Sequence, residues 1–164
     1  MLLADTNILS TLAKVNQLSL LFQLFRDERI GVVVAVYEEC VEGVNRGYVA
    51  LQSVIDLIRE GQIELVSPTA NETRAKAGVP LSFDAGERET IAIAISRSNQ
   101  ILTNERHVRN WCHRSGIGCW DLAGILRALW RHDILTKRQV RDLIVEIEAK
   151  DRVVFKNMDQ IFQE

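Results

Sequence analysis

Apolar positions along the 164-residue chain recur in two different rhythms. Leu18, Leu21, Phe22 and Phe25 follow the i, i+3, i+4, i+7 spacing that lays a stripe along one face of a helix. Leu51, Val54, Ile55 and Ile58 do the same, as do Leu122, Ile125, Leu126 and Leu129, and Val140, Leu143, Ile144 and Ile147. Four stripes predict four amphipathic helices, each needing a core to cover it. Between them lie apolar runs of strand length: LLA (2–4), IGVVVAV (30–36), IELV (63–66) and QILT (100–103). These runs do not alternate with polar residues, so both faces are buried, as in a parallel sheet covered by helices. Strands separated by helices imply right-handed βαβ crossovers. The expected fold is therefore α/β: a three-layer α/β/α arrangement around a central parallel sheet of four or five strands. A last strand near GIGC (116–119) and two C-terminal helices complete it. The segment 67–82 holds both prolines and reads as an irregular connection. No repeat or linker interrupts the pattern, so residues 1–164 are expected to form one domain.

Composition narrows the class. With 47% hydrophobic residues and only 2 Pro, the chain is neither disordered nor fibrous. A chain of this length buries roughly 68–70% of its unfolded surface and needs no disulfide or structural metal to hold a core. The runs VVVAV (32–36) and IAIAI (91–95) fall far short of the ~20 residues of a membrane span. No basic leader opens MLLADTN, and Cys40, Cys112 and Cys119 are irregularly spaced, as reduced thiols of a cytoplasmic protein would be. Net charge −2 argues against a strongly basic nucleic-acid binder. Yet 15 of the 20 basic residues are Arg, the side chain whose fork suits phosphate.

The acids bear on function through their positions. Asp5 follows the first strand directly, Glu38 and Glu39 follow the second, and Asn104 and Glu105 follow QILT. Ligands of open parallel sheets bind beyond the carboxyl ends of the strands. A further pair, Asp84 and Glu87, has the spacing of a capping box opening the helix that carries IAIAI. Glu89 is expected to point the other way, into solvent. Any one such acid is explained by the positive end of a helix dipole. Four on one edge repel each other, and a bound cation is what relieves that repulsion. Mg²⁺ or Mn²⁺, which take oxygen ligands, fit such a cluster and can orient water against a phosphodiester.

The segments Ala4-Asp5-Thr6-Asn7-Ile8-Leu9, Val36-Tyr37-Glu38-Glu39, Asp84-Ala85-Gly86-Glu87 before Thr90-Ile91-Ala92-Ile93-Ala94, and Leu102-Thr103-Asn104-Glu105 together resemble the PIN domain over residues 1–120. The resemblance implies a Mg²⁺- or Mn²⁺-dependent ribonuclease acting on RNA, like the toxins of prokaryotic toxin–antitoxin pairs, with a small antitoxin protein as partner. It implies that Asp5, Glu39 (or Glu38 in an alternative frame), Glu87 and Glu105 are the catalytic, metal-binding acids. Asp84 is a ligand instead of or beside Glu87. Thr6 and Asn7 would support Asp5, and Thr103 and Asn104 are further supporting residues of the site. The third and fourth acids, commonly Asp in the family, are both Glu here. That departure motivates an alternative, a catalytically weak PIN-like domain that binds RNA or protein.

The helix expected after Glu105 carries Arg106, Arg109 and Trp111. Arg106 and Arg109, with Arg88, are candidates for holding an RNA backbone; each also reads as an ordinary outward-facing residue. Trp111 is expected inward with Val108 and Cys112. Cys112, His113 and Cys119 do not have zinc spacing, and none of the three histidines sits in a recognisable catalytic context. Trp120, Trp130 and the Leu122–Leu129 stripe are expected to be core or a homodimer surface. A phosphatase or phospho-accepting receiver also needs a strand-end Asp. The nearest lysine after the last strand, Lys137, lies beyond the following helix, which counts against the receiver.

Overall fold

A computed structural model describes residues 1–164. Five strands, β1 (Leu2–Ala4), β2 (Ile30–Val33), β3 (Glu64–Val66), β4 (Gln100–Leu102) and β5 (Cys119–Trp120), form one all-parallel sheet in the order β3-β2-β1-β4-β5. Leu2 pairs with Ile30 on one side and with Gln100 on the other, which puts β1 at the centre. The chain works outward from β1 to β3, then returns to build β4 and β5 on the opposite side. The gap between the carboxyl ends of β1 and β4 is therefore the switch point of the sheet.

Ten helices flank the sheet: α1 (Thr6–Lys14), α2 (Ser19–Leu24), α3 (Val34–Asn45), α4 (Leu51–Arg59), α5 (Ala70–Ala75), α6 (Ala85–Arg97), α7 (Arg106–Ser115), α8 (Leu122–Arg131), α9 (Lys137–Lys150) and α10 (Met158–Phe162). The predicted stripes lie on α2, α4, α8 and α9, and their apolar positions feed a core cluster of 38 buried residues running from Leu2 to Ile161. Trp111, Trp120 and Trp130 are partly buried against that core. The C-terminal helices are tied down: Trp130 Nε1 donates to the Ile161 carbonyl (2.7 Å), and Asp151 accepts from Lys14 of α1 (2.9 Å).

Four expectations need correction. The apolar run 30–36 is not one strand, because the chain turns into α3 after Val33. Val33 has no capping side chain; the Ala35 N–H is instead taken by the Glu89 carboxylate at 3.0 Å. Glu89 is thus buried, 5% exposed, and neutralised by Lys76 at 2.9 Å, rather than solvated. A period-based reading cannot see a cap supplied from another helix. The irregular segment 67–82 contains α5, opened by a Thr69/Glu72 capping box, and a 3₁₀ turn at Lys76–Gly78. A third C-terminal helix, the short α10, follows α9.

Candidate metal centre

The centre is built where β1 and β4 part. Asp5 caps α1, accepting from the Ile8 N–H at 2.9 Å through one oxygen and from the Thr103 hydroxyl through the other. It is 6% exposed. Burial pushes its carboxyl up to about 7; the two hydrogen bonds oppose this, and the charges of Glu105 and Glu87 add to it. No arginine or lysine pairs with it.

Glu39 lies on the inner side of α3, while Glu38 is exposed, so the Glu39 frame faces the other acids. The Thr6 hydroxyl donates to one Glu39 oxygen, and the Gly86 N–H donates to the other at 3.1 Å. Its carboxyl is also raised, first by burial and then by the charges of Asp84 and Glu87. Gly86 is required by this approach: a Cβ there would collide with the Glu39 carboxylate and press within 3.0 Å of Val36. Thr6, at the start of α1, therefore reaches across to Glu39 rather than supporting Asp5.

Asp84 and Glu87 form the expected capping box of α6. Asp84 accepts from the Glu87 N–H at 2.8 Å, and Glu87 Oε2 accepts from the Asp84 N–H at 3.0 Å. Glu87 is left with Oε1 free of backbone. That oxygen meets His107 Nε2 at 2.8 Å, and His107 Nδ1 stands 3.8 Å from Glu105. Asn7 donates to Glu105, so it too serves a different acid from the one expected. Donor atoms of Glu87, Glu105 and His107 all lie within 4.8 Å of one another. His107 is raised above its ordinary value by the Glu87 hydrogen bond, then by the charges of Glu87, Glu105 and Asp84. Phe83 and the imidazole pack in a T-shaped arrangement with ring centroids 4.9 Å apart.

The sequence thus led to the acids but passed over His107 and Gly86. The signal for His107 was its place two residues after Glu105, in the first turn of α7. The remaining candidates stand elsewhere. Asn104 turns toward α8, accepting weakly from the Leu122 N–H (3.4 Å). Arg109 is paired with Asp121, the N-cap of α8, and Arg88 donates to the Lys76 carbonyl at 2.9 Å. Arg106 is exposed at the start of α7. Trp111 lies against Phe83 with ring centroids 5.8 Å apart, and Cys112 is buried in the core with no metal cluster around it.

The donor chemistry fits a hard divalent ion. Glu39, Asp84, Glu87 and Glu105 gather near one another, and Asp5 is desolvated with only neutral donors as partners. An ion of charge +2 would balance such a set.

A five-stranded parallel sheet flanked by helices, with acids near its switch point, defines a PIN-like class of α/β/α domain. The family model described as DUF3368: PIN domain matches residues 1–161, and the chain belongs to that family. No curated protein is similar to it in sequence. Among solved structures, a chain of VapBC2 from Rickettsia felis, crystallised bound to a DNA fragment from their promoter, is similar in fold. The TM-score is 0.57 at 16% identity, covering 73% of this chain and 97% of that one. No helix is long and apolar enough to cross a membrane.

Proposed function

We propose that the protein is a divalent-metal-dependent endoribonuclease, a toxin-type PIN enzyme using Mg²⁺ or Mn²⁺, with Asp5, Glu39, Glu87 and Glu105 as its working acids and Asp84 beside them. The observation that carries the reading is the buried Asp5, which has no cationic side-chain partner and feels the charges of Glu105 and Glu87. A bound ion supplies Lewis-acid activation of a water and neutralises the scissile phosphate. The chain's own residues supply the positions. Thr103 and the Ile8 N–H fix Asp5, Thr6 and the Gly86 N–H fix Glu39, and the α6 cap fixes Glu87. Asn7 fixes Glu105. Arg106, exposed at the start of α7 beside Glu105, is the proposed contact for an RNA phosphate. Membership of the PIN family and the likeness to a VapBC2 chain support an antitoxin as partner.

The test is cleavage of single-stranded RNA with Mn²⁺. The wild type cuts, and Asp5→Asn falls to background. Equal cleavage by both ends this reading. Retained RNA binding with no metal binding by the wild type would favour the alternative of a PIN-like binding module.

A further inference from the structure

We infer that His107 is itself a ligand of the bound ion, and that it biases the centre toward Mn²⁺ and Co²⁺ over Mg²⁺. The inference rests on the metal-dependent reading above and assigns a nitrogen donor to a site otherwise made of oxygens.

The imidazole is not incidental to the acids. Its Nε2 is 2.8 Å from Glu87 Oε1, and adjacent donors on an octahedral ion with bonds of about 2.1 Å stand about 3 Å apart. Its Nδ1 stands 3.8 Å from a Glu105 oxygen, so both carboxylates lie close to the ring. All three side chains offer donor atoms within 4.8 Å of one another, close to the span of a single coordination shell. Phe83 packs against the ring in a T-shaped arrangement. Ligation through Nε2 replaces its hydrogen bond to Glu87, and any proton held there is released.

The consequence is selectivity. Mg²⁺ favours carboxylate and water oxygens and dehydrates reluctantly. Imidazole raises affinity for first-row transition ions, along a series in which Co²⁺ exceeds Mn²⁺. A site of carboxylates plus one imidazole therefore discriminates against Mg²⁺ more than an all-carboxylate site does.

Pulsed EPR on the full-length protein loaded with Mn²⁺ reads the ligand directly. The expected result is ¹⁴N coupling of an imidazole in the wild type and in His113→Gln, and its loss in His107→Gln. Calorimetry with each ion alone adds the selectivity. His107→Gln should weaken Mn²⁺ and Co²⁺ by about tenfold or more and Mg²⁺ by less than about threefold. His107 is half-exposed, and circular dichroism of the variant is the check on its fold. Bound Mn²⁺ without ¹⁴N coupling in the wild type would make His107 a counter-ion that the metal displaces, overturning this inference and leaving the acidic centre intact. No Mn²⁺ binding by the wild type would overturn both.

Discussion

Two regions of the molecule bury carboxylates, and they do so in opposite ways. On the α5–α6 flank, Glu72 is 3% exposed and meets Arg97 at 2.8 Å, while Glu89 meets Lys76 at 2.9 Å. The Arg97 guanidinium holds the Glu72 carboxyl down at about 2. At the switch point, Asp5 is equally buried, yet its partners are a hydroxyl and an amide, and its carboxyl is pushed up to about 7. The first region is finished architecture: each charge has its opposite built in. The second gathers carboxylates with too few opposites, the kind of imbalance that the proposed bound cation would offset.

The comparison can be broken at either end. The largest effect is expected at Asp5. Its raised value means that the metal-free fold keeps a proton the unfolded chain has given up, so stability falls as pH rises from 3.8 toward about 7 and stays low above. His107, also raised, acts in the same sense: its contribution is present below its unfolded value and is lost as pH rises through its folded one. Asp5→Asn removes the Asp5 share. The metal-free variant should be more stable than the wild type near pH 8 by an amount on the order of a few kcal/mol, with a flatter profile in urea unfolding. The gain should come together with loss of Mn²⁺ binding. A variant less stable than the wild type at pH 8 would contradict the assignment.

Next comes the paired flank. Arg97→Ala strands a buried Glu72 and should destabilise by about 1–3 kcal/mol, the partial exposure of Arg97 keeping the cost below that of a fully buried pair. Its effect on Mn²⁺ affinity should be nil, which separates the two regions in one variant. Gly86→Ala should cost about 1–2 kcal/mol by crowding Glu39, and it should also weaken Mn²⁺ binding. Smallest is Lys76→Met, which removes a partly exposed partner of Glu89 while leaving the Ala35 cap, and should cost about 1 kcal/mol or less. Thermal and urea unfolding read the stabilities, and calorimetry reads the metal.

Much of the scaffold was legible in the chain. Leu2–Ala4, the four apolar stripes and the Asp84/Glu87 capping box are local patterns, and each formed where its spacing put it. Asp5 and Glu105 were legible for the same reason, since they follow β1 and β4 and parallel topology delivers strand ends to one edge, whereas Glu39 stands in the second turn of α3 rather than at the end of β2. Partnership was not legible. Thr6 and Asn7 sit beside Asp5 in sequence but serve Glu39 and Glu105, because side chains at the start of α1 project across the cleft to other elements. Thr103, 98 residues away, is the group that holds Asp5. Glu89 and His107 were misjudged alike. Helical spacing tells which way a side chain leaves its own helix, not which residue of another element waits there.

The most direct test of the central claim is an anomalous difference map from crystals of the metal-free protein soaked in Mn²⁺. The account predicts a peak bounded by Asp5, Glu87 and Glu105, and no peak in the same cleft of Asp5→Asn. A fully soaked crystal with no Mn²⁺ at that edge, or with the ion bound only elsewhere, would contradict it.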